Sequence, residues 1–97
     1  MAKRRPFKSI RPNAEEELTD ADEGDRLCEE LLAACQDLED EDLDGYQETS
    51  VEKAKAFARS VQQTIAATGR FTEGQRTALA NWGKGVARVR EQLERRR

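Results

Sequence analysis

The chain has 97 residues, enough for one small domain, and alanine inflates its 36% hydrophobic share: 13 residues are Ala and only 17 are Leu, Ile, Val or Phe. So thin an apolar inventory suits helices packed along narrow stripes, with a partner or second copy to finish the burial, and no apolar run approaches the roughly 18 residues of a membrane span. Histidine is absent, which removes the usual general base near neutral pH and a favoured zinc ligand. The expected class is therefore all-α: a small helical bundle built on an antiparallel helical hairpin. Without a signal-peptide pattern it is expected to be soluble and cytoplasmic, without enzymatic activity, and to need no cofactor.

The net charge of −3 conceals segregation. Residues 1–12 carry Lys3, Arg4, Arg5, Lys8 and Arg11 with no acid. Residues 13–52 hold 17 acids against Arg26 alone, and residues 53–97 hold 11 bases against Glu73, Glu91 and Glu94. Halves of opposite sign are expected first to satisfy each other, the acidic first helix lying near Lys53, Arg59, Arg70, Arg76 and Arg88. An interaction face is the alternative.

In chain order, residues 1–14 read as a disordered basic arm, since Pro6 and Pro12 lack backbone donors and bias their neighbours away from helix. Residues 15–97 read as one helical domain. The first helix spans about 20–39, entered at Thr19 or Asp20 through an acidic turn that suits the positive end of the helix dipole. Gly24 weakens this entry, so the stable part is expected from Asp25 onward. Leu27, Leu31, Ala34 and Leu38 keep helical spacing, and Cys28, Leu32 and Cys35 widen the stripe. Cys28 and Cys35 lie about 10.5 Å apart along one helix, beyond disulfide reach, and read as small buried hydrophobes. The acidic run from Glu39 to Gly45 ends the helix.

The second helix spans about 50–68. Thr49-Ser50-Val51-Glu52 matches a capping box, Ala54, Phe57, Ala58, Val61 and Ile65 make its apolar face, and Gly69 is the left-handed stop. Thr72-Glu73-Gly74-Gln75 repeats the capping pattern and opens a third helix over about 73–95. Its stripe of Leu79, Trp82, Val86, Val89 and Leu93 recurs at 3-4-3-4 spacing, a heptad seam. The short connection makes helices two and three antiparallel neighbours. Gly83 and Gly85 each cost about 1 kcal/mol in a helix interior, so a close helix approach beside Trp82 is the preferred reason for them, and a hinge for the Arg-rich end the other.

Phe57 and Ser60, followed by Gly69-Arg70-Phe71-Thr72-Glu73-Gly74-Gln75 and Leu79, resemble a helical hairpin of small bacteriophage and mobile-element proteins. The resemblance covers residues 57–79. It implies a hairpin fold and brings no activity with it.

Asp40-Glu41-Asp42-Leu43-Asp44-Gly45 looks like the first half of an EF-hand calcium loop, with oxygen ligands at alternate positions and a turn glycine. The second half departs: Gln47 replaces a hydrophobic residue, Val51 stands where the bidentate Glu belongs, and Glu52 comes one position late. A solvated acidic turn is expected. Serines 9, 50 and 60 lack an activating histidine, and Gly83-Lys84-Gly85 lies inside a helical pattern and matches no phosphate loop.

The function expected is a non-catalytic protein–protein interaction module, phage- or mobile-element-like. Helix two runs out of apolar residues after Ile65, so Trp82, Val86, Val89 and Leu93 are expected to meet a protein partner or another copy. The alternative is a nucleic-acid-binding accessory protein using Lys3, Arg4, Arg5, Arg88, Arg90, Arg95, Arg96 and Arg97. A further alternative is an acidic nucleic-acid mimic presenting Asp22, Asp25, Glu29, Glu30 and residues 37–44.

Overall fold

A computed structural model describes residues 18–96, so the arm expected over residues 1–14 lies outside the described part. The elements in order are β1 (Leu18–Thr19), α1 (Ala21–Gln36), α2 (Gly45–Thr68), β2 (Phe71–Thr72) and α3 (Glu73–Arg95). The fold is all-α. The two strands form a minimal antiparallel pair, Leu18 opposite Thr72 and Thr19 opposite Phe71, which ties the entry of α1 to the α2–α3 elbow.

The first helix begins before its glycine. The Asp20 carboxylate accepts from the Asp22 amide at 2.9 Å and caps the helix, and the Gly24 amide already donates to the Asp20 carbonyl. The helix thus starts at Ala21 with its entry at Asp20 as expected, but its regular part does not wait for Asp25, and the reason lies in packing. Gly24 is buried, and a Cβ there would stand 2.6 Å from Phe71 Cγ and 2.9 Å from Ile65 Cδ1. The helix accepts glycine's entropic penalty because only a bare backbone fits over the Phe71 ring. At its other end α1 stops at Gln36 rather than 39. Leu38, Glu39 and Glu41 then donate to carbonyls three residues back, making tight turns that still bury Leu38.

The second helix starts five residues earlier than its expected position. Asp44 caps it, accepting from the Gln47 amide at 2.8 Å while Gln47 Oε1 accepts from the Asp44 amide at 3.1 Å. Thr49 is an interior residue whose hydroxyl donates to the Gly45 carbonyl. The acidic loop therefore contains a second, better-placed capping box, and Gly45 enters the helix instead of breaking it. Asp44→Ala is expected to cost about 1 kcal/mol, and Thr49→Ala to stay within about 0.5 kcal/mol. Urea unfolding followed by circular dichroism separates the two, and equal losses would return the cap to Thr49. Gln47 is 4% exposed. Its Nε2 donates to Gln92 Oε1 at 2.8 Å, joining the start of α2 to the end of α3.

The hairpin follows its sequence signals. Gly69 adopts φ 71° and its amide donates to the Ile65 carbonyl at 2.7 Å. Thr72 and Gln75 form the reciprocal box that opens α3. With the Gln47–Gln92 bond at the far end, α2 and α3 are antiparallel.

The core draws on every helix: Cys28, Leu31 and Cys35 from α1, Val51 to Ile65 from α2, and Leu79 to Leu93 from α3. Phe71 closes the elbow end and Leu38 the other. The surface expected to be left over at Val86, Val89 and Leu93 is absent, because each is 6% exposed or less within the single chain. The reason is that α1 lies along α3 as well as α2, a contact that the two-helix reading of the seam omitted.

Acid meets base around α1, with different partners from those expected. Arg76 pairs with Glu23 at 3.0 Å, Arg90 with Asp37 at 3.8 Å and Lys55 with Glu39 at 3.5 Å. Of the five expected bases only Arg76 takes part. Lys53, Arg59, Arg70 and Arg88 stay exposed, and none of them forms an ion pair within 4 Å among the described residues. Two residues along a helix turn a side chain by about 200°, which is why Lys55 faces α1 and Lys53 does not.

Candidate interaction groove

The two cross-links to α3 fix how α1 lies. Glu23 meets Arg76 and Asp37 meets Arg90, so both pairs are offset by 53 positions and the helices run parallel and in step. Residues of both helices between these pairs line a groove of ≈400 Å³. Leu27, Leu31 and Ala34 of α1 and Leu79, Ala80 and Gly83 of α3 line it, with Glu30 and Arg76 on its rims. Small side chains explain the opening. Ala34, Ala80 and Gly83 stand where larger residues would fill the space, and a Cβ added at Gly83 meets nothing within 4 Å.

That openness corrects the reason given for the two glycines of α3. Neither Gly83 nor Gly85 sits in a close helix approach, since both have free space. Trp82 is covered from α2 instead, its ring 6.5 Å from that of Phe57 and tilted by 34°. Of the four residues expected to meet a partner, Val86, Val89 and Leu93 belong to the core and only Trp82 is partly exposed.

The basic residues singled out for nucleic acid are dispersed. Arg90 is held by Asp37, Arg95 by Glu91 at 3.6 Å, and Arg96 Nη2 donates to the Asp42 carbonyl at 3.4 Å. Arg88 is exposed, while Lys3, Arg4, Arg5 and Arg97 lie outside the described residues. Asp22, Asp25, Glu29 and Glu30 all lie on α1, but Asp25 is half-buried and the outer face is interrupted by Arg26.

A second cleft of ≈380 Å³, between the turn after α1 and the start of α2, is acidic. Glu39, Glu41, Asp42, Glu48 and Glu52 surround it, with Lys55 among them. The Lys55 ammonium is pushed above its usual value by its hydrogen bond with Glu52, against the opposing pull of desolvation. Asp44 is engaged at the helix entry, and among the described residues no three Cys, Asp or Glu gather as metal ligands would. No helix of the described part is long and apolar enough to cross a membrane.

Both thiols are inside the core, and Cys35 Sγ approaches the Val51 carbonyl at 3.7 Å. Burial, aided by Asp25 and Glu29, raises the Cys28 thiol from 9.0 to about 11. Burial also raises Cys35, with Lys55 opposing. A thiol whose folded pKa is raised favours the folded state below the unfolded value. That contribution is lost as pH climbs from about 9 to about 11, where the unfolded chain ionises first. Stability is therefore expected to fall across this interval, and Cys28→Ala to flatten the fall in alkaline urea titrations. In native protein at pH 7.5, iodoacetamide is expected to leave both cysteines intact over an hour and to modify both in 6 M guanidinium, by about 100-fold in rate.

Sequence reasoning missed the groove. Its signals were present as Ala34, Ala80 and Gly83, three small residues on facing stripes. The only isolated large hydrophobics at the surface are Leu18 and Tyr46 among the described residues, and neither lies on the groove. No protein-family model, no curated protein and no solved structure matches this chain, so the likeness to phage-type hairpins rests on its own residues alone.

Proposed function

We propose that this chain is a non-catalytic protein-interaction module that receives a helix of a partner protein in the groove between α1 and α3. The observation that supports the reading is an apolar groove of ≈400 Å³ left open beside the core, where the other cleft of similar size is acidic. Two parallel helices with small residues between them offer a track for a third, which would meet leucine and alanine side chains at ordinary helix-packing distances. Nothing about the groove favours chemistry. It holds one carboxylate and one ion-paired guanidinium, with no nucleophile beside a base.

A photo-crosslinking amino acid at Ala80 in the groove, compared with the same residue at Ser60 on the outer side of α2, tests this in cells. One defined protein adduct is expected from Ala80 and none from Ser60, with the adduct lost when Gly83→Trp fills the groove. Adducts from both sites alike, or from neither, would overturn the reading. Since Gly83 has free space for a larger side chain, helix content is expected to survive the blocking change.

A further inference from the structure

The charges beside the groove form an incomplete ladder. Glu23, Glu30 and Asp37 recur every seven residues on α1, and positions 76, 83 and 90 do the same on α3. Seven residues are close to two full turns, so each series stays on one side of its helix. The outer rungs are closed, by Arg76 on Glu23 at 3.0 Å and by Arg90 on Asp37 at 3.8 Å. The middle rung sets Glu30 level with Gly83, which has no side chain to offer. Both line the groove, and Glu30 forms no ion pair among the described residues.

In the free protein this gap is harmless, because Glu30 is exposed and water solvates it. A helix lying in the groove changes that. Covering an ionised carboxylate without a cation leaves its desolvation uncompensated, whereas an incoming base both replaces the lost water and gains a short charge-assisted contact. The space above Gly83, with nothing within 4 Å of a Cβ, is where such a side chain fits. Building on the reading of the groove as a helix-docking site, we propose that it selects a partner helix whose apolar face carries a single Arg or Lys at its centre. That base completes the middle rung on Glu30, while apolar residues on either side meet Leu27, Ala34, Leu79 and Ala80. An acidic residue at the same position is rejected.

The test uses the full chain, labelled for amide NMR, and three blocked 16-residue amphipathic peptides. Their apolar face is leucine and alanine, and its central position is Arg, Leu or Glu. Shifts at Ala34 and Ala80 are expected, with the Arg peptide binding about tenfold tighter than the Leu peptide and the Glu peptide weakest. Glu30→Gln is expected to bring the Arg and Leu peptides within about twofold of each other. Equal binding of the Arg and Leu peptides, or an Arg preference untouched by Glu30→Gln, overturns the proposal and leaves the groove as a docking site. No shift at Ala34 or Ala80 with any peptide overturns both. Groove shifts that grow with protein concentration alone place a second copy there, and peptide binding that tightens in Phe7→Ser/Ile10→Ser places the chain's own N-terminal segment there; either result also overturns the proposal.

Discussion

Gly24→Ala is expected to destabilise the protein, although alanine is the better helix former by about 0.5–1 kcal/mol. The added methyl would come within 2.6 Å of Phe71 Cγ and 2.7 Å of Cδ2. Ile65 Cδ1, also within 3 Å, is the far end of a side chain and can rotate away. The ring cannot, because Phe71 is 0% exposed and its backbone is paired with Thr19. Overpacking a filled site costs about 1–3 kcal/mol, more than the propensity gain. The net loss of about 1–2 kcal/mol corresponds to a melting temperature lower by roughly 4–16 °C in a domain of this size. Gly24→Ala/Phe71→Leu is expected to lose less than the two single changes together, since the smaller side chain makes room for the methyl. A higher melting temperature for Gly24→Ala alone would show that propensity governs and that the close approach has no energetic weight.

Phe71→Ala has the largest expected effect. Phe71 is the bulkiest fully buried side chain among the described residues, and it touches the entry of α1 while belonging to the strand that leads into α3. Removing such a ring costs about 3–5 kcal/mol through lost transfer energy and the cavity left behind. Against a total stability of about 5–15 kcal/mol, that leaves a domain on the edge of unfolding at 37 °C. Phe57→Ala is the internal comparison: Phe57 is only partly buried against Trp82, so its loss is expected to be less than half as large. Urea titrations read by the single tryptophan, with circular dichroism as the second probe, measure both. Comparable losses for the two phenylalanines would remove Phe71 from its place as the keystone of the elbow.

Much of the fold is legible in the residues because local and global signals agree there. Gly69, Thr72 and Gln75 each satisfy a helix terminus with short-range hydrogen bonds, and the stripe of α3 has one helical phase throughout. Legibility fails where two local signals compete. Asp44-Gly45-Tyr46-Gln47 and Thr49-Ser50-Val51-Glu52 both have the chemistry of a helix entry, and the first prevails, with Gln47 closing the capping box and also bonding the remote Gln92. It fails again where the decisive contact is remote in sequence. Gly24 is a helix weakener until Phe71, 47 positions away, is placed against it. The candidate groove suffers from the same limit. Gly83 stands out in the sequence, yet its meaning depends on α1 running parallel to α3, which two ion pairs establish and no periodicity reveals.

The buried amide of Gln47 has a consequence for how the bundle comes apart. Helix ends ordinarily fray one by one, each on its own timescale. Here one side chain closes the first turn of α2 and at the same time grips Gln92 in the last turns of α3. Fraying of either end therefore costs the other end one of its hydrogen bonds. At the opposite end the close fit of Phe71 against Gly24 is reinforced by the β1–β2 pair and by Arg76 on Glu23. Both ends of the bundle are thus tied across helices, the far one by side-chain bonds from Gln47 to Gln92 and from Arg96 to the Asp42 carbonyl, the elbow by a backbone pair and a close steric fit.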